Sequence, residues 1–131
     1  MRILAYYLMA NHWHFVLWPE TDADLSAFMQ RLTNTHSQRW QHAKRKVGYG
    51  RVYQGRFKSF PVETDEHFYR LARYVERNAL RAGLARRAEE WRYGSLWRRV
   101  NNARHPILAD WPLAEPQEWV QHVSAPCRGV V

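Results

Sequence analysis

The sequence predicts an α+β domain in which an antiparallel hairpin is followed by helices. Residues 3–9 and 12–18 are rich in β-branched and aromatic side chains, and residues 10–11 between them favour a tight turn. Two longer segments, 25–46 and 65–81, carry apolar residues at helical spacing. Paired strands that precede a run of helices are typical of the α+β class.

The second strand has two different faces. Alternation places Trp13, Phe15 and Leu17 on one side, and we expect this apolar face to pack against the core. The other face begins with His12 and His14. Two imidazoles at alternate strand positions lie about 6–7 Å apart at the backbone, so both can bind one metal ion. The same pair also occurs on ordinary exposed strands, so both interpretations stay open here.

The first helix is predicted to begin after a cap at Asp22 or Asp24 and to extend to Lys46. Its apolar stripe consists of Leu25, Phe28, Met29 and Leu32. The glycines that follow predict a loop that leads into a strand over 51–62.

The second helix is predicted to begin at Asp65 and to stop at Gly83. Its apolar stripe consists of Phe68, Ala72, Val75 and Ala79. Tyr74 and Asn78 lie four residues apart on a neighbouring face. A continuous basic ridge consists of Arg70, Arg73, Arg77 and Arg81. Such a tyrosine suits attack on a phosphodiester, although an ordinary solvated helix face has the same composition.

The rest of the chain is rich in tryptophan and proline. A short helical segment is predicted within 86–100, and a last short helix over 116–122. The single Cys127 can form no internal disulfide, which fits a reducing cytoplasm. No apolar run approaches the roughly 20 residues that cross a bilayer, so we expect a cytoplasmic protein without a membrane partner.

Charge gives the first indication of a partner. Lysine and arginine number 20 against 12 acids, which gives a net charge of +8. Arginine greatly outnumbers lysine, and its planar fork matches phosphate oxygens. A nucleic acid is the commonest partner of such a chain.

Three blocks, in this order, resemble the single-tyrosine HUH transposases, and most closely the REP-associated tyrosine transposases. The blocks are YYLMANHWHFVLWP, VYQGRFKSFPVETDEHFYRLARYVERNALRAGL and EEWRYGSLW, which together cover residues 5–97. The resemblance implies a ferredoxin-like HUH domain with an antiparallel sheet and helices on one face. It also implies a catalytic core over 1–84 and a Trp/Arg-rich extension over 85–131 packed on the same domain.

The resemblance assigns roles to four residues. Tyr74 would be the nucleophile that cleaves single-stranded DNA and holds it as a 5′-phosphotyrosine. His12 and His14 would bind a divalent metal, Mg²⁺ or Mn²⁺, and Asn78 would be a third, amide-type ligand. Two imidazoles suit Mn²⁺ better than Mg²⁺, which prefers oxygen ligands.

Further basic residues are predicted to contact the DNA, which the resemblance implies to be single-stranded with hairpins. Besides the basic ridge of the second helix, they are Lys44, Arg45, Lys46, Arg51, Arg56 and Lys58. Tyr49 or Tyr53 could stack on a base.

The chain departs from the family pattern in two ways. Ala10 stands where the family usually has proline. The hairpin also begins at Ile3, whereas family members usually carry a strand and a helix before it, so the domain is expected to be N-terminally truncated relative to the family. An upstream start codon, a decayed copy or a partner that fills the gap, such as a second copy in a homodimer, would each explain this. An inactive nucleic-acid-binding relic and an RNA-binding module are therefore the alternative functions.

Overall fold

The computed structural model describes residues 1–48 and 50–127 and confirms the α+β class. Its elements are β1 (Arg2–Leu8), β2 (Trp13–Trp18), α1 (Asp24–Ala43), α2 (Asp65–Arg81), a 3₁₀ turn (Ala88–Glu90), α3 (Ser95–Val100) and α4 (Trp119–Ser124). The chain divides into two compact units. Residues 2–18 and 62–131 form one, here called the sheet unit, and residues 1 and 19–61 form the other, the α1 unit. The predicted domain boundary at residue 84 stays a prediction.

The hairpin forms as predicted, but its buried face is the opposite one. The two strands are antiparallel, with Tyr7 opposite His14, and form a two-stranded sheet that is compatible with a ferredoxin-like domain. On the histidine face Val16 is buried, whereas the predicted core face of Trp13, Phe15 and Leu17 is only partly buried. The prediction was wrong because α2 packs against the histidine side of the sheet. There it forms an apolar cluster that includes Ala5, Tyr7, Val16, Phe68 and Val75.

Helix α2 has the bounds that the sequence predicts. The Thr64 hydroxyl accepts a hydrogen bond from the His67 backbone N–H at 3.1 Å, so an exposed donor of the first turn is satisfied. Gly83, at φ +74°, lies just beyond the last turn, where an L-residue would be strained. All four residues of the predicted apolar stripe are buried.

The residues after α2 cover its second side and one edge of the sheet. Ala72 of α2 packs with Ala88, Leu96, Trp119 and Val123 in a second apolar cluster. The last helix begins at Trp119, later than predicted. Beside β1, the Leu8 N–H donates to the Tyr93 carbonyl and the Ala109 N–H donates to the Ile3 carbonyl, each at 2.9 Å. These bonds satisfy polar groups that an open strand edge would expose.

A buried carboxylate, Glu76, lies at the centre of these contacts. Its Oε1 accepts a hydrogen bond from the Ser95 hydroxyl at 2.6 Å, and its Oε2 accepts one from the Trp119 indole at 2.7 Å. Arg99 forms an ion pair with the same carboxylate and also donates to the Leu4 carbonyl at 3.1 Å. One side chain of α2 is therefore joined to α3, to α4 and, through Arg99, to β1.

The α1 unit departs more from prediction. Helix α1 ends at Ala43, earlier than expected, and Asp24 is its first residue. The Asp24 carboxylate accepts hydrogen bonds from the backbone of Glu20 and Thr21, each at 3.0 Å. Only Met29 of the predicted stripe is buried.

The strand predicted over 51–62 does not form. No residue from 50 to 62 lies in a strand, and these residues form loops and bends. A strand requires a neighbouring strand to which it is hydrogen-bonded. Among its described residues, the α1 unit contains the helix α1 and no strand that could pair with this segment. Within the described residues, no helix combines the length and the apolar character that a bilayer crossing requires.

Replacing Glu76 by alanine should strongly destabilise the fold. The substitution leaves the Arg99 guanidinium, the Ser95 hydroxyl and the Trp119 indole without their acceptor, and removing one partner of a buried ion pair costs about 3–5 kcal/mol. Urea unfolding measures the loss. Glu63→Ala, at an exposed position, is the matched control and should stay within about 0.5 kcal/mol of the wild type. A loss below about 1 kcal/mol for Glu76→Ala would contradict the central role of this carboxylate.

Candidate functional site

Three of the predicted site residues come together at one end of the sheet unit. His12 directly precedes β2 and His14 lies within it, and both side chains are exposed. Their ring centroids are 5.8 Å apart and the rings are nearly perpendicular, at 89°. The ring of Tyr74, from α2, lies 6.1 Å from that of His14. The packing of α2 on the histidine face of the sheet is what brings a helix tyrosine to a strand histidine.

Tyr74 is open to solvent on one side and faces a cation on another. The side chain is 41% exposed, so a large substrate can reach it. The guanidinium carbon of Arg81 lies 5.3 Å from the centre of its ring, within the range of a cation–π interaction. Positive charge beside the ring favours the approach of a phosphate group.

A neighbouring amide fixes the orientation of His12. The Nδ1 atom of its ring lies 2.7 Å from the Asn11 side-chain oxygen. Because that oxygen only accepts, Nδ1 carries the proton, and the Nε2 lone pair is left for another ligand. Metal-binding histidines are commonly held by such a second hydrogen bond. The sequence pattern around Asn11 indicates only a turn residue.

The surroundings of His14 favour its neutral form. Burial, and secondarily the nearby His12, lowers the pKa of His14 below its usual value. The neutral imidazole is the form that binds a metal. His14 therefore remains competent as a ligand at a lower pH than an isolated histidine would.

Tyr7 is a member of this cluster that the sequence analysis missed. Its ring stacks on His14, with centroids 5.0 Å apart and planes at 17°, and meets the edge of His12 at 5.7 Å. The side chain is 1% exposed, and its hydroxyl has no hydrogen-bond partner among the described residues. Burial, with a contribution from Tyr74, raises the pKa of Tyr7 to about 12, so the phenol keeps its proton. The strand register could have indicated Tyr7, because a short turn at residues 10–11 places Tyr7 opposite His14 in the hairpin.

Two neighbouring imidazoles are suitable donors for a divalent metal, which would need a third ligand of a different kind. Among the described residues, no third His, Cys, Asp or Glu joins them. Asn78 is half-buried and lies one turn after Tyr74 on the same helix, where an amide oxygen could complete the set. Two imidazoles and an amide oxygen suit Mn²⁺ well.

Two residues of the predicted basic ridge are used inside the fold. Arg73 donates to the carbonyls of His122 and Ala125, each at 2.9 Å. Arg77 donates to the Val123 carbonyl at 2.6 Å. Cations at these carbonyls satisfy the C-terminal end of α4. Arg70 is exposed, and the Arg81 guanidinium lies over the Tyr74 ring, so these two cations of the ridge remain at the protein surface.

The remaining predicted DNA contacts belong to the α1 unit. They are all exposed, and they are Lys44, Arg45, Lys46, Arg51, Arg56 and Lys58. Tyr53 is partly buried and its hydroxyl lies 2.6 Å from Nδ1 of His36. Tyr49 lies outside the described residues.

Comparison with known proteins places the chain in a family. No curated protein and no solved structure matches it. The family model described as "Transposase IS200 like" matches residues 1–78, more than half of the chain. The matched segment contains both histidines, Tyr74 and Asn78. The chain therefore belongs to the IS200-like transposase family, whose members are DNA-processing enzymes of transposition.

Proposed function

We propose that this transposase cleaves and rejoins single-stranded DNA with Tyr74 as its nucleophile and His12, His14 and Asn78 as ligands of a divalent metal. The observation that carries the proposal is the meeting of Tyr74 with both histidines, within about 6 Å between neighbouring rings. The same proposal includes a substrate with hairpins, as the resemblance to the REP-associated branch implies.

In the proposed cleavage, the phenolic oxygen of Tyr74 attacks the phosphorus of a phosphodiester. A tyrosine O–P bond forms and the P–O3′ bond breaks, so the DNA 5′ end stays on the protein as a phosphotyrosine. The phenolic proton passes to water, and the departing 3′ oxygen takes up a proton. The exposure of Tyr74 and the guanidinium of Arg81 over its ring support this role.

Rejoining is the same reaction in reverse. A 3′-hydroxyl attacks the phosphotyrosine, a P–O3′ bond forms and the Tyr74 oxygen leaves with a proton. One phosphodiester-type bond replaces another at each step, so no nucleotide hydrolysis is needed. This reversibility suits a transposase, because a different 3′ end can complete the exchange.

The chain's own residues hold the site for this chemistry. When bound, Mg²⁺ or Mn²⁺ would act as a Lewis acid that polarises the scissile phosphate. Asn11 holds His12 with Nε2 available, and Tyr7 holds the His14 ring by stacking. The buried Tyr7 hydroxyl has no hydrogen-bond partner among the described residues, and the nearby Tyr74 contributes to the raised pKa of Tyr7. We include Tyr7 as a positioning residue for His14.

The variant Tyr74→Phe should lose cleavage but keep DNA binding, because only the attacking oxygen is removed. The assay mixes labelled single-stranded hairpin DNA with the protein and Mn²⁺ and separates covalent adducts on a denaturing gel. Tyr93→Phe, at another exposed tyrosine, is the matched control and should form the adduct at the wild-type rate. An adduct with Tyr74→Phe would show that the nucleophile is misassigned, and DNA binding without any wild-type adduct would favour an inactive binding protein.

Metal binding should weaken at least about tenfold in His14→Ala. Outer residues that only orient metal ligands are worth about 10–100-fold in affinity, so loss of a ligand should cost no less. Mn²⁺ titration followed by electron paramagnetic resonance measures the affinity without any need for catalysis. His42→Ala, which removes an exposed histidine of α1, should leave the titration unchanged. Equal effects of the two substitutions would contradict the proposed metal site.

Tyr7→Phe should raise stability and leave activity unchanged. Because the hydroxyl is buried and has no partner among the described residues, its removal should stabilise the free protein by about 1 kcal/mol, at the low end of the 1–3 kcal/mol desolvation cost of such a group. Adduct formation should keep its wild-type rate because the ring that stacks on His14 is retained. Urea unfolding and the rate of adduct formation measure the two effects. If both stability and rate fall, the hydroxyl has a structural role instead.

A further inference from the structure

A concave surface lies wholly within the α1 unit, between α1 and residues 50–57. It encloses about 690 Å³, within the range of typical ligand sites. The helix contributes a row of uncharged polar side chains that share one face: Ser26, Gln30, Thr33, Asn34, Ser37 and Gln41. This surface is called the α1 groove below.

The polarity of this helix face is unusual for a packed surface. A helix normally presents apolar residues to the elements beside it, as α2 does. In the α1 groove only Met29 is both apolar and buried among the lining residues of the helix. Amide and hydroxyl groups both donate and accept hydrogen bonds, and side chains with these groups recognise the edges of bases. No carboxylate is among the described lining residues, so nothing there repels a polyanion.

The loop wall supplies the other groups that a nucleotide requires. Arg51 and Arg56 are exposed and suit phosphate oxygens. Tyr53 and Phe57 provide aromatic faces on which bases can stack. Gln41 donates to the Gly50 carbonyl at 2.9 Å, and this bond holds the loop wall against the helix.

The charge along the chain is most positive in the segment that contains the groove. Residues 25–62 contain eight lysine and arginine residues and no acid. The other 12 cations are balanced by the 12 acids, so the net charge of +8 arises entirely within this segment. The segment also contains every groove residue. A polyanion is therefore attracted to the part of the chain where uncharged base-reading groups are also found.

We infer that the α1 groove binds a short run of unpaired nucleotides and distinguishes their bases. The inference rests on the proposed function for its substrate class, single-stranded DNA. Bases in a duplex keep their pairing edges occupied, so amide side chains in a groove favour unpaired residues such as those flanking a hairpin. Recognition of the bases would then lie in the α1 unit, and cleavage would lie in the sheet unit.

The first test compares Gln30→Ala/Asn34→Ala with Gln38→Ala. Gln38 is an exposed residue of the same helix outside the groove, so it is a matched control. Fluorescence anisotropy would measure binding of a labelled hairpin with single-stranded flanks, in EDTA so that no cleavage occurs. The double variant should bind at least about tenfold more weakly and should lose its preference among flank sequences, while the salt dependence stays as in the wild type. Wild-type affinity and preference in the double variant would overturn the inference.

A complementary variant separates phosphate contacts from base contacts. Arg51→Ala should weaken binding of all flank sequences equally and should reduce the slope of log affinity against log salt by about one. An unchanged salt slope would remove Arg51 from the site and with it the phosphate half of the inference.

Crosslinking locates the bound strand on the wild-type protein. A 5-iodouracil placed in the flank should crosslink to peptides that contain Tyr53 or Phe57 after irradiation, as mass spectrometry can show. Crosslinks confined to other peptides, or tighter binding of an RNA flank of the same sequence, would overturn the assignment. The binding measurement in EDTA does not depend on cleavage. Base-selective binding in EDTA, together with no adduct in the separate Mn²⁺ assay, would reject the proposed cleavage and still support the groove as a binding site.

Discussion

The buried carboxylate of Glu76 is the interaction on which the geometry of the sheet unit depends. Glu76 and Tyr74 lie two residues apart on α2, so their side chains leave the helix on nearly opposite sides. The Glu76 side is joined to Ser95, Arg99 and Trp119 by hydrogen bonds. Those bonds fix the rotation of α2 about its axis, and that rotation directs Tyr74 toward the histidines. A small rotation of α2 would separate the Tyr74 ring from that of His14.

Burying the Glu76 carboxylate has a desolvation cost. Burial raises the pKa of Glu76, while Arg99 and the hydrogen bonds from Ser95 and Trp119 oppose that shift. A buried ion pair adds little net stability compared with apolar packing, but its directional bonds permit few alternative arrangements. Apolar contacts between α2 and α4 would tolerate sliding or rotation, whereas three donors that converge on one carboxylate do not. The arrangement therefore orients α2 precisely.

Patterns confined to one element could be predicted from the sequence, and contacts between distant elements could not. The bounds and buried stripe of α2 follow from local periodicity and end signals, and the hairpin follows from its strand composition and turn. The buried face of β2 was predicted wrongly because alternation defines two faces but does not say which one a helix will cover. Glu76 gives no local signal, since a charged residue in a helix is ordinarily solvated. The strand over 51–62 failed because strand composition cannot guarantee a partner.

The total positive charge could be counted from the sequence, but the contacts of the individual cations could not. The excess of arginine predicts a nucleic-acid partner, but several arginines bind carbonyl oxygens of the protein itself. Arg73 and Arg77 hold the end of α4, and Arg99 joins α2 to β1. At Arg73 and Arg99 the guanidinium group bonds more than one acceptor, and a lysine could satisfy fewer of them. The uncompensated cations lie in residues 25–62, which lack acids altogether. The excess positive charge and the cluster of Tyr74 with the two histidines therefore belong to different segments of the chain.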